Sequence, residues 1–228
     1  EALFLPIVGR NIIGAELRRL TASALQETQP ALAPDQTRVA YIGIGAEGET
    51  DLYVTELASG ETRNLTNSPQ IAEETPLFAP DGASLAFASK ASGDWAIYTI
   101  SPAGAELRTL VDQPGSDEIQ PAFAPDGATL FFASNRANGD WEIYSVPLGG
   151  DAWTNLTNSP TIDRFPVVGF GGKWLLYRAQ TGDNSDIYRM NLDGSNRRRL
   201  TSAALYKGYP AATPAHTGLA YFVLDGAQ

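Results

Sequence analysis

Short apolar runs separated by Gly-, Asp- and Asn-containing turns fill the chain, and the stretch 121–157 shows this pattern most completely. The runs predict four strands that run back and forth, at 121–125, 130–133, 141–146 and around 155–157. Side chains alternate along a strand, so Leu130 and Phe132 point to one face while Phe131 and Ala133 point to the other. A sheet that is apolar on both faces must be packed between neighbours. Asp126-Gly127 predicts a two-residue turn between the first two strands.

The same pattern repeats with a period of about 45 residues. A proline opens the first strand of each unit, in steps of 46, 45, 45 and 44 residues, at Pro30, Pro76, Pro121, Pro166 and Pro210. A leucine in the fourth strand recurs in steps of 45, 45, 46 and 44 residues, at Leu20, Leu65, Leu110, Leu156 and Leu200. Two independent markers therefore predict five units.

The two ends of the chain complement each other. Residues 210–228 supply only the first two strands of a unit, and residues 1–29 supply only the last two. We therefore predict an all-β protein, a five-bladed propeller of four-stranded antiparallel blades closed by a composite blade made from both termini. It forms one domain, 1–228, with blades at 30–75, 76–120, 121–165, 166–209 and 210–228 plus 1–29. A fragment of an array with six or more blades is the alternative.

The motif Pro-x-Phe-Ala-Pro-Asp-Gly, followed by Gly-Asp-Trp-x-Ile-Tyr and Leu-Thr, resembles the repeats of TolB-like propellers. The resemblance spans the chain and is strongest over 76–165, whereas Gln36 replaces the turn glycine in the first unit. TolB-like propellers generally have six blades, so a count of five is a departure. Because scaffolds, sensor domains and peptidase-linked propellers share the motif, the resemblance implies a fold and no catalytic site.

Charge and composition narrow the class of partner. The formal net charge of −10 at pH 7 argues against nucleic acid and anionic membrane surfaces. No apolar run approaches the roughly 20 residues that span a bilayer, so we expect no membrane insertion. The lack of cysteine excludes disulfides and thiolate zinc sites. We expect a monomer. The chain begins with Glu1, so either a leader has been removed or the sequence has been trimmed, and an extracytoplasmic or periplasmic location is favoured.

A charged residue stands three positions before each opening proline, at Glu27, Glu73, Glu118, Asp163 and Lys207. The loops that enter the first strands gather at one end of the blades, so these residues would ring the mouth of a central channel. Four acids favour a cationic ligand, either a metal ion or an amine or guanidinium of a partner. The alternative is that they cap backbone groups in the loops. We expect no cofactor, with a channel-bound cation left open.

Aromatic and cationic residues accompany these acids. Trp95 and Trp141 begin the third strands of two units, where they either offer stacking surfaces to a sugar or peptide side chain or fill clefts between blades. Arg164 and Phe165, with the segment 206–209, add cationic and aromatic character to one side of the rim. Such a mixed rim is typical of a recognition surface.

Catalysis has little support in the sequence. The only histidine, His216, is predicted at a turn on the opposite face. Glu73, Glu118 and Asp163 would serve a glycosidase, but they occupy equivalent blade positions, whereas that chemistry needs carboxylates in unequal environments. We therefore predict a non-catalytic binding or scaffolding propeller that recognises a protein or peptide through the acidic channel mouth. The alternatives are a carbohydrate-active propeller, glycosidase or lectin, and the ligand-sensing domain of a larger membrane-anchored protein.

Overall fold

The computed structural model describes residues 20–21, 25–137, 139–150, 152–169, 171–202, 206–212, 219–220 and 223–224. Every element assigned in these residues is a β-strand. The strands form four antiparallel sheets of four strands each and two short two-stranded sheets. No helix in the described residues is long and apolar enough to cross a membrane. The predicted all-β class and the four-stranded blades are confirmed.

The strands of blades 1 and 2 lie side by side in chain order. Blade 1 contains β1 (Gln26–Leu32), β2 (Arg38–Ile44), β3 (Thr50–Glu56) and β4 (Thr62–Asn64). Blade 2 contains β5 (Glu73–Phe78), β6 (Leu85–Ser89), β7 (Ala96–Ile100) and β8 (Arg108–Val111).

Blades 3 and 4 repeat this order. Blade 3 contains β9 (Glu118–Phe123), β10 (Thr129–Ala137), β11 (Asp140–Pro147) and β12 (Thr154–Asn155). Blade 4 contains β13 (Ile162–Gly169), β14 (Trp174–Thr181), β15 (Asn184–Met190) and β16 (Arg198–Arg199).

The last described segments supply the beginning of a fifth unit. β17 (Tyr206–Lys207) pairs with β20 (Val223–Leu224), and β18 (Ala211–Ala212) pairs with β19 (Leu219–Ala220), both antiparallel. The two strands that residues 1–29 are predicted to add lie almost wholly outside the described residues. The count of five and the closure by both termini therefore stay predictions.

The first strand of each complete blade begins before its proline and not at it. Glu73 and Glu118 are the first residues of β5 and β9, which corrects their predicted position in loops. A register shift interrupts each first strand near the proline. The residue before the proline has φ between 53° and 58° in all four blades, at Gln29, Thr75, Gln120 and Phe165. This bulge accommodates a residue without an N–H and lets the strand continue on its other side.

The turn between the first two strands is also longer than predicted at Asp126-Gly127. The N–H of Ala124 donates to the carbonyl of Thr129 at 2.8 Å, which encloses four residues. Gly127 has φ 67°. Gln36, at the equivalent position of blade 1, has φ 60°. The same turn therefore forms there without glycine, although a positive φ is unfavourable for a residue with a side chain.

The apolar core lies between neighbouring sheets. Leu130, Phe131, Phe132 and Ala133 of β10 are at most 1% exposed. Phe131 and Ala133 belong to one apolar cluster, and Leu130 and Phe132 belong to another. The prediction of a blade that is apolar on both faces is confirmed, and neighbouring blades supply the surfaces that bury it.

The turn glycines of blades 3 and 4 offer a matched test of how closely the blades pack. A Cβ added at Gly172 would lie 2.5 Å from Pro125 Cγ, whereas one added at Gly127 would lie 4.0 Å from Pro80 Cδ. Both glycines have positive φ, at 82° and 67°. An alanine at either position therefore shares the backbone strain, and only Gly172 adds a steric clash.

We expect Gly172→Ala to lower the free energy of unfolding by about 1–3 kcal/mol more than Gly127→Ala, because the extra methyl overpacks the contact between blades. Urea denaturation of both variants beside the wild type measures the difference. Equal losses in the two variants would show that the clash is absent.

Candidate functional site

The five predicted charged residues are buried, each at 8% exposure or less: Glu27, Glu73, Glu118, Asp163 and Lys207. Each lies in the first strand of its unit. Hydrogen-bond donors and an oppositely charged side chain of the protein itself therefore stabilise these groups.

Glu73 shows how an acid of this set joins two blades. Its carboxylate lies in β5 of blade 2 and accepts hydrogen bonds from the hydroxyls of Thr66 and Ser68, both at 2.5 Å. The backbone N–H of Leu52, in β3 of blade 1, donates to the same carboxylate at 3.1 Å. A buried carboxylate needs such partners, and here they come from the preceding blade and the loop that leaves it.

Glu118 and Asp163 make the same kind of contact. Glu118 accepts from the Ser116 hydroxyl at 2.7 Å. Asp163 accepts from the hydroxyls of Thr161 at 2.6 Å and Ser159 at 2.8 Å. These serines and threonines lie in the loops that connect consecutive blades. The acids therefore fasten each connecting loop to the blade that it enters.

Burial weakens the acidity of these groups. Loss of solvent raises the pKa of Glu73 and of Glu118, and the hydroxyl hydrogen bonds act in the opposite direction. For Asp163 burial raises the pKa to about 6, and the nearby charge of Glu142 adds to the increase. A carboxyl with this pKa changes its charge in the physiological range.

Lys207 replaces the acid in the fifth unit and forms an ion pair. Its Nζ lies 3.1 Å from Asp186 Oδ1 of β15 and donates to the Ser185 carbonyl at 3.1 Å. Arg199 also contacts the Asp186 carboxylate, at 2.5 Å. Lys207 thus joins the fourth and fifth units through an ion pair. At the equivalent position, Glu73, Glu118 and Asp163 instead accept hydrogen bonds from hydroxyl groups.

The binding role predicted for Glu27, Glu73, Glu118, Asp163 and Lys207 stays a prediction. Their burial and their hydrogen bonds agree with the alternative, in which the side chains satisfy groups of the protein. Among the described residues, no three His, Cys, Asp or Glu side chains are grouped so that they could hold a metal ion. His216 lies outside the described residues.

Trp95 and Trp141 are half-buried and pack against the same apolar cluster. The guanidinium carbon of Arg164 lies 4.3 Å from the ring centroid of Trp141. Lys90 Nζ lies 5.3 Å from that of Trp95. Both tryptophans therefore pack against the apolar core, and a cationic side chain lies over each ring. Arg164 and Trp141, two predicted site residues, are brought into contact.

Residues one and two positions after the buried acids line a cavity of about 440 Å³, which we call the central cavity. Its lining comes from the first strands of four blades and from the fifth unit: Thr28, Gln29, Glu74, Thr75, Gln120, Arg164, Phe165 and Tyr209. Because side chains alternate along a strand, a residue next to a buried acid points away from the blade contact.

Three pairs of residues that precede the prolines of neighbouring units are in contact at the central cavity. Gln29 accepts a hydrogen bond through Oε1 from the backbone N–H of Thr75. Gln120 does the same for Phe165, at 2.8 Å. The rings of Phe165 and Tyr209 meet edge to face with centroids 4.1 Å apart. Equivalent residues of neighbouring units are therefore in direct contact.

The lining of the central cavity carries one acidic and one basic residue. Burial raises the pKa of Glu74, and the positive charge of Arg164 acts in the opposite direction. The Arg178 guanidinium carbon lies 4.6 Å from the Phe165 ring centroid, and Tyr209 is 54% exposed. The cavity thus combines a carboxylate with a cationic and aromatic wall.

Sequence reasoning identified Arg164 and Phe165 but missed Glu74 and Gln120. A signal for Glu74 was available, because the position after the four acids and Lys207 holds five different residues, at Thr28, Glu74, Ile119, Arg164 and Gly208. The acid position itself repeats a carboxylate in four units. Structural roles recur in every repeat, whereas a binding site needs different groups from different blades.

A family profile for the TolB beta propeller domain matches residues 11–228. No curated protein sequence matches the chain. A putative TolB from Agrobacterium tumefaciens superimposes with a TM-score of 0.79 at 21% identity, over 92% of this chain and 74% of that one. TolB from Acinetobacter baumannii superimposes with a TM-score of 0.78 at 21% identity, over 94% of this chain and 53% of that one. A puromycin-hydrolyzing peptidase from Mycobacterium tuberculosis superimposes with a TM-score of 0.66 at 17% identity, over 84% of this chain and 32% of that one. Identities this low establish a shared fold alone.

We expect Asp163→Asn to gain stability relative to the wild type as the pH rises from 4.5 to 7.5. The folded-state pKa of about 6 exceeds the ordinary 3.8, so the carboxyl must ionise in a buried site. Below pH 3.8 it is neutral in both states, and above about 6 the wild type has lost up to roughly 3 kcal/mol of stability. Urea denaturation of both proteins across this range measures the change.

The same substitution at the exposed Asp126, Asp126→Asn, is measured beside it as the control for the loss of a surface carboxylate. A pH-independent difference between Asp163→Asn and the wild type would contradict a raised pKa at Asp163.

Proposed function

We propose that this chain, which belongs to the TolB beta propeller domain family, is a non-catalytic binding or scaffolding module that recognises a protein or peptide. The central cavity supplies the contact surface in this proposal, at the end of the blades where sequence reasoning expected an acidic mouth. The observation that carries it is the convergence of Glu74, Arg164, Phe165 and Tyr209 on one cavity.

The size and chemistry of the central cavity suit a peptide segment. Its volume of about 440 Å³ falls in the range of small-ligand sites, about 300–1,000 Å³. Glu74 and Arg164 offer one charge of each sign, which match the charged ends and side chains of a peptide better than a neutral sugar. Tyr209 and Phe165 supply the aromatic surface that often anchors a partner.

The placement of the candidate acids supports a non-catalytic module. Glu73, Glu118 and Asp163 are each engaged by hydroxyl groups between blades, in the described structure, and none of them lines the central cavity. The superposition on the puromycin-hydrolyzing peptidase covers 32% of that chain at 17% identity, so it supports a shared fold and no shared activity. We regard the fold as a carrier of a binding site.

The proposal includes a ring of five blades closed by both termini. Its support is the lining of one cavity by first strands from four blades and the fifth unit, and the contact of Phe165 with Tyr209. A monomeric state and an extracytoplasmic location are parts of the same proposal.

Peptides selected from a random display library on the wild-type protein provide the test. We expect Glu74→Gln and Arg164→Gln each to weaken binding of the selected peptides at least tenfold, because each removes one charge from the cavity. Isothermal titration calorimetry measures the affinity of each variant, and an unchanged melting temperature shows that the variant is folded. Glu61→Gln and Arg63→Gln, which break an exposed 2.8 Å ion pair elsewhere, are the matched controls and should change affinity by less than about twofold.

Selected peptides that bind the cavity variants and the wild type equally would place the site elsewhere on the surface. Failure to select any peptide, together with specific binding on a glycan array, would favour the carbohydrate-active alternative.

A further inference from the structure

Arg38 fills the junction between blades 1 and 2 at the opposite end of the first strands from the central cavity. Its guanidinium carbon lies 5.5 Å from the ring centroid of Phe78 in blade 2. One guanidinium nitrogen donates to the Gly82 carbonyl at 3.2 Å and lies 3.4 Å from Asp35 Oδ2. An aromatic face, a carbonyl and a carboxylate together surround this cation.

The junction between blades 2 and 3 repeats all three of these groups without the arginine. Ser84 follows Pro80 by four residues, as Arg38 follows Pro34, so the serine occupies the arginine's place in the repeat. The equivalent surrounding groups are Phe123, the Gly127 carbonyl and Asp81. They line an open cleft of about 530 Å³, which we call the blade 2–3 cleft.

The local backbone is the same at both junctions. Asp81 Oδ1 accepts from the Ala83 N–H at 2.9 Å, as Asp35 Oδ1 accepts from the Thr37 N–H at 3.0 Å. The N–H of Gly127 is bonded within its turn at 2.9 Å, as is that of Gly82. The carboxylate and the carbonyl are therefore held in the same orientation in the two places.

The rest of the blade 2–3 cleft also suits an arginine side chain. Leu110 and Leu148 provide apolar walls for the methylene stem, and Asp126 adds a second carboxylate to the lining. A planar guanidinium satisfies an aromatic face and a carboxylate at once, which an ammonium group does less well.

We propose that the blade 2–3 cleft binds an arginine side chain presented by a partner polypeptide, in the place that Arg38 takes between blades 1 and 2. The cleft lies at the other end of the first strands from the central cavity, so the inference does not depend on the proposed function. The net charge of −10 favours approach of a basic segment.

The junction between blades 3 and 4 does not share these features. Val168 stands where the other junctions have phenylalanine, so the aromatic face is missing. Gly172 also lies close against Pro125. We therefore expect one arginine site among the three junctions of the described blades.

The test titrates the protein with N-acetyl-arginine amide, which mimics an arginine within a polypeptide, and follows the backbone amides of Asp81, Ala83 and Gly127 by NMR. We expect saturable shifts at one site and at least fivefold weaker binding of N-acetyl-lysine amide. Ser84→Arg places the protein's own arginine in the cleft and should weaken binding at least tenfold, while Ser92→Arg, at an exposed position outside the cleft, adds the same charge and should leave affinity within about twofold.

Arg38→Ser provides a gain of binding. It should open a second site between blades 1 and 2, seen as new saturable shifts at the backbone amides of Asp35 and Thr37, which hold the carboxylate of that junction. This variant remains informative if Ser84→Arg folds poorly, which melting curves would reveal.

Three outcomes would overturn the proposal. The first is a wild-type protein with no saturable binding of N-acetyl-arginine amide. The second is a folded Ser84→Arg variant that binds this probe as the wild type does. The third is tighter binding of free L-arginine than of the blocked probe, which would assign the cleft to a small molecule in place of a polypeptide partner.

Discussion

Burial of both faces of each sheet is the constraint on which this structure depends. A strand such as β10, with Leu130, Phe131, Phe132 and Ala133 at most 1% exposed, has no face left for water. Such a sheet is stable only between two others, so the blades must stack in succession around an axis. Every other feature described here lies at a contact between consecutive blades or at the inner edge of the stack.

The first strand of each blade connects this packing to the inner surface. Its acid or lysine turns into the contact between blades. The next residue lines the central cavity in blades 1, 2 and 4, at Thr28, Glu74 and Arg164, whereas Ile119 of blade 3 packs into an apolar cluster. The bulge before the proline then leaves one left-handed residue, such as Gln120, whose side chain bonds to the equivalent residue of the next blade. The residue at the bulge therefore both contacts the next blade and lines the central cavity.

Departures from the repeat mark the places where binding is proposed. Glu74 and Arg164 differ between blades at a position where the side chain lines the central cavity. Ser84 differs from Arg38 at a position where an arginine would fill the space between blades. Residues that recur in every blade thus serve the fold. Where the residue at an equivalent position differs between blades, it leaves a pocket or a charged side chain with which a partner could interact.

The sequence by itself determined the period, the strands, the apolar character of both blade faces and the family, because these depend on local alternation and on turn residues that recur every 45 or so positions. It also indicated that Arg164 lies near a site. Only the tertiary structure decided that Glu73, Glu118 and Asp163 are buried, since each accepts hydrogen bonds from hydroxyls of the loop that connects it to the preceding blade, and Glu118 also accepts one from Ser134 of its own blade. The opening of the blade 2–3 cleft was likewise decided there, because it depends on how closely neighbouring sheets approach, and the residue pattern of a single strand does not determine the distance between two sheets.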